Sequence, residues 1–355
     1  MKYSTLGTTD IKISRICMGT MTWGKQNDQE QADAQMNMAL DMGVNFWDTA
    51  EMYPMFAKPS EYGITESILG NWMARNASRR SEIVLATKFS PVGDHPNGRP
   101  RAVTRDNLRA ALDASLEKLN TDYVDLYQLH WPDNRKHYHF FNHWDWQHAS
   151  GVEARDACLE NMSETVLALG ELIDEGKIRT WGLSDDTAWG MNQFLRLCDH
   201  HGVPRPVSTQ QEYHVMMWRD ELVIHETCAL EGVSYLPWGP IAGGLLSGKY
   251  NDGKRPEGAR YSKGFELPDE KRPHRLRQST LDAVADYQDM GKRLGIDVCQ
   301  LAIAWTIRQP WMTSTIIGAT NLDQLRTNIE AVNFEITDEM TAELAKLRFK
   351  YPAPF

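Results

Sequence analysis

Three short apolar runs in this chain each end in an ionisable side chain. VNFWD ends at Asp48, IVLATK ends at Lys88 and VDLYQLH ends at His130. Tyr53 follows Asp48 by five residues, in what is expected to be a loop. Runs of this length are typical of buried strands, and in a parallel barrel the carboxyl ends of all strands open on one face. We therefore expect these four side chains to meet at that face.

These four residue types could together transfer a proton to a substrate oxygen. A tyrosine hydroxyl has an ordinary pKa of about 10, a nearby ammonium favours its phenolate form, and a buried carboxylate can hold that ammonium in place. Such a tyrosine can act as a general acid, and a neighbouring histidine can donate a hydrogen bond to the same oxygen. This chemistry suits the reduction of a carbonyl, and it needs a cofactor as the source of hydride.

The simpler explanation is that each of these residues is an isolated polar group at a strand end that meets solvent. That explanation is adequate for any one of them. It is a poor explanation for four chemically matched groups on neighbouring strands, so we favour the catalytic interpretation.

Strand-like and helix-like segments alternate along the chain and would position these residues. A small hairpin over residues 3–14 precedes eight strand-plus-helix units, and the helix after the insertion described below is predicted to begin at Ser163. Alternation at this spacing implies parallel strands, and eight of them favour a closed barrel over an open sheet. The predicted fold class is α/β, a (β/α)8 TIM barrel with an N-terminal hairpin and long loops at the C-terminal face. We expect residues 1–355 to form a single domain.

A long insertion over residues 131–162 breaks the alternation and is predicted to be a loop over the active site. Its clustered aromatic side chains are expected to pack over the barrel mouth and shape a substrate pocket. Trp23 and Trp131 flank the catalytic candidates in sequence. We predict that both line the pocket together with Tyr53 and His130.

The insertion also holds four histidines, which raise the alternative of a metal site. They are His137, His139, His143 and His148. No cysteine pair or helical H-E-x-x-H accompanies them, so we predict no metal.

Composition excludes several classes of protein. The 355 residues carry a formal net charge of -10, and a pI of about 5.6 is unfavourable for binding nucleic acid or an anionic membrane. The N-terminus has no apolar signal region, and the longest apolar stretches are strand-sized, so no membrane span is expected. Five scattered cysteines, an odd number without a C-x-x-C pair, indicate reduced thiols and a cytoplasmic location.

Several motifs resemble those of the aldo-keto reductases. They are GTMTWG at 19–24, the D-x-x-x-x-Y spacing of Asp48 and Tyr53, Lys88, LHWPD around His130, GKY at 248–250 and GATNLDQLRTNI at 318–329. The resemblance covers essentially the whole chain and is closest to the bacterial tas-like branch. It implies an NADPH-dependent oxidoreductase that reduces aldehyde or ketone carbonyls of small molecules to alcohols, without a Rossmann motif. In that family the residue matching Tyr53 donates the proton. The residues matching Lys88 and Asp48 tune this donor, and the residue matching His130 orients the carbonyl.

The resemblance also implies a set of residues that bind NADPH or NADP+. Ser184 and Gln210 would hold the nicotinamide carboxamide, Trp238 would stack on the nicotinamide ring, and Arg260 would bind the adenosine 2′-phosphate. The whole set comprises Gly19, Thr20, Asp48, Ser184, Asp185, Gln210, Trp238, Gly239, Pro240, Leu246, Gly248, Lys249, Arg260, Gly318, Thr320, Gln324 and Asn328.

Two positions depart from the family pattern. Asp185 stands where the family commonly has asparagine, and an ionised aspartate accepts hydrogen bonds but cannot donate them to a carboxamide oxygen. Some members also carry a lysine and an arginine at the positions of Gly318 and Gln324. With fewer charges there, Arg260 becomes more important for a preference for NADPH over NADH.

Two other functions remain open at this point. The family includes potassium-channel β subunits, so a slow-turnover NADPH-binding protein with a redox-sensing or regulatory role is the main alternative. A barrel hydrolase would use paired carboxylates at strand ends. It ranks last because Asp48 has no evident carboxylate partner apart from Glu51. The sequence leaves the choice between monomer and homo-oligomer undecided.

Overall fold

Eight parallel strands form a closed barrel in the computed structural model. The structure describes residues 1–55, 58–91, 102–132, 151–262, 276–352 and 354, together with the backbone of 137–138 and 143–144. Its strands, in chain order, are β1 Tyr3–Thr5, β2 Lys12–Ser14, β3 Ile16–Gly19, β4 Phe46–Asp48, β5 Val84–Phe89, β6 Val124–Leu129, β7 His137–Tyr138, β8 His143–Trp144, β9 Ile178–Ser184, β10 Ser208–Glu212, β11 Ser234–Trp238 and β12 Thr315–Ile317. Around the barrel the order is β3, β4, β5, β6, β9, β10, β11 and β12, which confirms the predicted TIM barrel.

Helices surround this barrel. They are α1 Gln29–Asp41, α2 Ile64–Arg75, α3 Arg105–Leu119, α4 Val152–Asp174, α5 Ala188–His201, α6 His225–Glu231, α7 Gln278–Leu294, α8 Val298–Arg308, α9 Leu322–Glu330 and α10 Asp338–Lys350. Within the described residues, no helix combines the length and the apolar character that crossing a membrane requires.

The prediction that residues 131–162 are all loop is wrong at its C-terminal end. Helix α4 begins at Val152 rather than at Ser163. Met162 is the first buried residue of this helix, so its first ten residues present no apolar face to the core. Helical periodicity in the sequence therefore becomes visible only where the helix starts to pack.

The predicted N-terminal hairpin is confirmed, and it closes the amino-terminal end of the barrel. Strands β1 and β2 pair antiparallel, with Gly7 at a φ of 52° in the turn. Leu6, Ile11 and Ile13 pack against inward-facing side chains of the barrel strands, such as Phe46. These apolar side chains fill the amino-terminal end of the barrel, and the polar groups lie at the carboxyl ends of the strands.

Helices α2 and α3 approach each other very closely behind β5. A Cβ atom on Gly70 would lie 1.9 Å from the backbone oxygen of Lys118, so only glycine permits this contact. The close packing encloses Glu66, which is fully buried between α2 and the outer face of β5. There the hydroxyl of Thr87 donates to Glu66 Oε1 over 2.6 Å.

Candidate active site

Asp48, Lys88 and Tyr53 meet at the carboxyl end of the barrel. The Nζ atom of Lys88 lies 2.6 Å from Asp48 Oδ2, 2.8 Å from the backbone oxygen of Thr49 and 3.5 Å from the Tyr53 hydroxyl. Lys88 has no solvent exposure, and its ammonium group has three donors for these three acceptors. The lysine is therefore held in one position directly beside the phenol.

The second oxygen of Asp48 is also fixed. Gln128 and Gln210 donate their side-chain N–H groups to Asp48 Oδ1 over 3.1 and 2.9 Å. Gln210 was predicted to contact a nicotinamide, and here its amide nitrogen is engaged with Asp48 and with Gln128 Oε1. Sequence reasoning missed Gln128, although it precedes His130 by two residues and so lies on the same face of the strand.

The expected effect of Lys88 on Tyr53 is present, but burial outweighs it. Burial raises the pKa of Tyr53 to about 12, because the loss of solvation outweighs the opposing effect of the Lys88 ammonium. The pKa of Lys88 is raised: burial lowers it, but the neighbouring Asp48 and Tyr53 more than compensate. Tyr53 is therefore a neutral phenol and Lys88 a protonated ammonium at neutral pH.

The His130 ring lies beside Tyr53 and is neutral. Burial and the nearby Lys88 charge hold the pKa of His130 well below its usual value. Its ring centroid lies 5.7 Å from that of Tyr53 in an edge-on arrangement, and it stacks on Trp131 with centroids 4.1 Å apart. The Nδ1 atom lies 3.0 Å from the Ser90 hydroxyl, which leaves Nε2 available to a molecule in the cavity.

A cavity of about 350 Å³ opens above these groups, and most of the predicted site residues line it. The predicted residues in its wall are Gly19, Asp48, Tyr53, His130, Trp131, Ser184, Asp185, Gln210, Trp238, Gly239, Pro240, Lys249, Arg260, Gly318, Thr320, Gln324 and Asn328. Seven of the eight barrel strands, through their carboxyl ends or the loops that follow them, thus contribute to one continuous space.

Five predicted site residues lie outside the cavity wall. Lys88 lies behind Asp48 and Tyr53, as described above. Thr20 is buried and donates its hydroxyl to the Asp48 backbone oxygen over 2.9 Å. Trp23 is buried in the core, and its backbone oxygen accepts from Thr65.

The other two lie in the segment after β11. Leu246 packs in the core, and its backbone oxygen accepts from Gln288. Gly248, at a φ of 74°, follows the short helical turn that contains Leu246.

Two cations, Lys249 and Arg260, line one arm of the cavity. Partial burial lowers the pKa of Lys249, and repulsion by the nearby Arg260 charge lowers it further. Neither forms an ion pair with another described residue. Gly243 and Gly244 lie beside them at φ values of 66° and 95°, where a side chain on Gly243 would collide with Tyr261 and approach Arg260. This arm therefore combines two neighbouring positive charges with closely approachable backbone.

The N-terminus of α9 borders the same space. Asn321 caps the helix by accepting from the backbone N–H of Gln324 over 2.9 Å. Gln324 Oε1 accepts from the backbone and the hydroxyl of Thr320, and Asn328 donates to the Gly318 backbone oxygen. The polar side chains here order the turn, and the helix dipole adds a further favourable field for an anion.

Asp185 contacts Trp238 directly. The indole N–H of Trp238 lies 3.2 Å from Asp185 Oδ1, and Asp185 adopts a φ of 49°. Asparagine and aspartate are the non-glycine residues that tolerate such a conformation best. The departure from asparagine thus places a buried carboxylate against the Trp238 indole in the cavity wall.

Sequence reasoning missed part of the cavity wall. The missed residues are Met21, Thr22, Gln26, Met55, Ile241, Gly243, Gly244, Ile303, Ile316 and Ile317. Most of them follow barrel strands in loops, and their proximity to the flagged motifs was the available signal. Met21 and Met55 belong to different loops and meet through a backbone hydrogen bond of 2.9 Å, which no local pattern shows.

The predictions for the insertion lie largely outside the described residues. His139 and His148 are among the residues not described, and for His137 and His143 only the paired backbone of β7 and β8 is. Trp131 is described and lines the cavity. In the described part of the chain, no group of three or more His, Cys, Asp or Glu residues is arranged to hold a metal ion.

Comparison with known proteins gives consistent matches along the chain. The model of the aldo/keto reductase family matches residues 15–348. Protein tas of Escherichia coli (strain K12) is 37% identical over 100% of both chains. The uncharacterized oxidoreductase YrpG of Bacillus subtilis (strain 168) is 31% identical over 100% of this chain and 97% of that protein. A probable voltage-gated potassium channel subunit beta of Arabidopsis thaliana is 31% identical over 94% and 92% of the two chains.

Proposed function

Since the chain belongs to the aldo/keto reductase family, we propose that this oxidoreductase reduces aldehyde or ketone carbonyls with NADPH and uses Tyr53 as the proton donor. The single observation that carries this proposal is the buried Lys88–Asp48 pair beside the hydroxyl of Tyr53, which lines the cavity. A barrel with a purely structural role has no need for a fully buried ammonium at this place.

Tyr53 is suited to donate a proton because it carries one at neutral pH and has a cation at its oxygen. As the substrate oxygen gains negative charge, it takes the phenolic proton, and the charge then moves onto the phenolate oxygen of Tyr53. Lys88 lies 3.5 Å from that oxygen and stabilises the phenolate as it forms. Asp48 keeps the ammonium charged and in position.

His130 is proposed to orient the substrate carbonyl. A neutral imidazole can donate one hydrogen bond without transferring its own proton, and Nε2 is the nitrogen left for this contact. Stacking on Trp131 fixes the plane of the ring. Met21, Met55 and Trp131 give this end of the cavity an apolar wall, which favours carbonyl compounds with an apolar or ring-bearing body.

The residues present fit a dinucleotide phosphate. The cationic pair Lys249 and Arg260 and the N-terminus of α9 suit the pyrophosphate and the 2′-phosphate, because both are sites for anions. Ser184 and the side-chain oxygen of Gln210 would contact the carboxamide, and Trp238 would contact the nicotinamide ring. When bound, the cofactor supplies the hydride for the carbonyl carbon. The same arrangement supports a preference for NADPH over NADH.

A second candidate function is regulatory. Since a probable voltage-gated potassium channel subunit beta is among its relatives, we propose as the alternative a protein with a redox-sensing or regulatory role that binds NADPH and turns over slowly. Tight retention of NADPH together with negligible turnover on carbonyl compounds would distinguish this function from the first. We place the protein in the cytoplasm in either case, in agreement with its five free cysteines.

The experiment is a titration followed by a substrate screen. Tryptophan fluorescence is followed during addition of NADPH and, separately, NADH, since Trp238 and Trp131 line the cavity. NADPH oxidation is then measured with aliphatic and aromatic aldehydes and ketones. The proposal predicts quenching by NADPH at a dissociation constant at least about tenfold below that of NADH, and turnover with some of the carbonyl compounds. Absence of binding by both nucleotides would contradict it.

A further inference from the structure

Ser90 connects three loops beneath the catalytic histidine without forming part of the cavity wall. It follows β5 directly and is fully buried. Its backbone N–H donates to Glu51 Oε1 over 2.6 Å, and its hydroxyl lies 3.0 Å from His130 Nδ1. Glu51 follows β4, and His130 follows β6. The Glu51 contact therefore fixes the backbone from which the Ser90 hydroxyl reaches the imidazole.

The direction of the Ser90–His130 hydrogen bond decides what His130 can do. A neutral imidazole carries one N–H group, on either Nδ1 or Nε2. If the Ser90 hydroxyl donates to Nδ1, the ring proton is on Nε2, where it can reach a carbonyl oxygen. If Nδ1 donates to the hydroxyl instead, Nε2 offers only a lone pair and would repel that oxygen. The two arrangements have the same heavy-atom geometry and opposite chemistry.

We propose that Ser90 is a positioning residue whose hydroxyl donates to His130 Nδ1 and thereby keeps the cavity-facing Nε2 protonated for hydrogen bonding to the substrate carbonyl. The direction of this hydrogen bond and its role in turnover rest on the function proposed above, whereas the contact itself is a feature of the structure. The backbone supports the geometry from the His130 side too, since the His130 N–H donates to the Phe89 oxygen over 2.9 Å. The ring is thus held by its backbone, by Trp131 and by Ser90.

The direct test is a nitrogen NMR spectrum of the wild-type protein with labelled histidine. The His130 resonances are assigned as those missing from the spectrum of the His130→Asn variant. The proposal predicts that Nδ1 has the shift of an unprotonated ring nitrogen and Nε2 that of a protonated one. The reverse assignment would overturn it, and this result requires no variant of Ser90.

Removal of the hydroxyl tests its contribution to turnover. In Ser90→Ala we expect kcat for aldehyde reduction to fall by about tenfold or more, as is usual for residues that orient a functional histidine, with the dissociation constant of NADPH unchanged. The nitrogen spectrum of this variant should show a mixture of both ring forms. Ser90→Thr, which keeps a hydroxyl, should recover most of the lost rate. An unchanged kcat together with an unchanged ring form in Ser90→Ala would refute the proposal.

Ser208→Ala is the matched control. Ser208 is also fully buried, and its hydroxyl has no hydrogen-bond partner in the described part of the chain. It lies at the start of β10, at the opposite end of the barrel from the site. This variant should retain both the wild-type kcat and the wild-type His130 spectrum. If the wild-type protein reduces no carbonyl compound, the proposed function fails, and the nitrogen spectrum still decides the state of His130.

Discussion

Lys88 Nζ lies 2.6 Å from Asp48 Oδ2, and the two side chains are 0% and 3% exposed. A buried ion pair of this kind pays a large desolvation penalty, and it contributes little to stability unless all its remaining donors and acceptors are satisfied. In this pair, Thr49 and Tyr53 accept the remaining hydrogen bonds of Lys88, and Gln128 and Gln210 donate to Asp48. Such a network is expected where a charge must be present for chemistry rather than for folding.

Replacement of Lys88 by methionine should destabilise the protein strongly. The Asp48 carboxylate would remain buried without its counter-ion, and the loss of one partner of such a pair typically costs about 3–5 kcal/mol. In Lys88→Met combined with Asp48→Asn, the loss should be clearly smaller than the sum of the two single effects. Urea unfolding of the four proteins of this cycle measures the difference. Additive effects would show that the two charges do not interact, while Lys254→Met on the surface should leave stability unchanged.

Arg260→Ala should weaken NADPH binding much more than NADH binding. Only NADPH carries the 2′-phosphate that Arg260 is proposed to bind, and a charge-assisted hydrogen bond of this kind corresponds to roughly tenfold or more in affinity. Fluorescence titration with both nucleotides gives the two ratios. Lys254→Ala is the control, because it removes a cation from the same loop at a position outside the cavity wall. Equal losses for NADPH and NADH would refute the role of Arg260.

Asp185→Asn should strengthen NADPH binding by several-fold. Asparagine keeps an oxygen for the Trp238 indole and tolerates the φ of 49°, so the local structure should persist. It also adds an N–H donor for the carboxamide oxygen and removes a buried negative charge from beside the nicotinamide position. Titration with NADPH measures the change. Weaker binding would show that the carboxylate itself serves the cofactor.

Because of Glu66, we expect the free energy of unfolding to fall as pH rises. Burial raises the pKa of Glu66 from 4.5 to about 7, despite the Thr87 hydroxyl that donates to it. Between these two values the unfolded chain releases the proton and the folded chain keeps it, so the folded state loses stability as pH rises from about 4.5 to about 7. The shift corresponds to a total of about 3 kcal/mol.

Glu66→Gln removes this proton equilibrium. The stability of the variant relative to the wild type should therefore rise by a few kcal/mol between about pH 5 and about pH 8. Urea unfolding at the two pH values measures it. A difference between the two proteins that does not change with pH would contradict the raised pKa of Glu66.

Much of the fold could be predicted because its signals are local. Alternating apolar segments gave the eight barrel strands, and polar strand ends identified Asp48, Lys88 and His130. The N-terminal end of α4 was missed because an exposed helical segment carries no apolar stripe. The effect of Lys88 on the pKa of Tyr53 could be predicted, but the larger opposing effect of burial could not, because burial depends on the whole cavity.

Contacts between distant loops could not be predicted. Ser90 is one serine among many until the structure places it against His130. Asp185 and Trp238 are 53 positions apart in the sequence. The aspartate in place of the usual asparagine was therefore visible in the sequence, but the hydrogen bond that it accepts from Trp238 was not. Only Gln128 was within reach, through its alternation with His130 along β6.

Tyr53→Phe is the most direct test of Tyr53 as proton donor, because it removes one hydroxyl and keeps the ring. NADPH affinity, by fluorescence titration, and kcat with the best aldehyde are measured for both proteins. We expect an unchanged dissociation constant for NADPH and a kcat lowered by about a hundredfold or more. We also expect the wild-type kcat/KM to keep its value to well above neutral pH, because burial raises the pKa of Tyr53 to about 12. A Tyr53→Phe variant with the wild-type kcat would show that the proton comes from another group and that Tyr53 is not the donor.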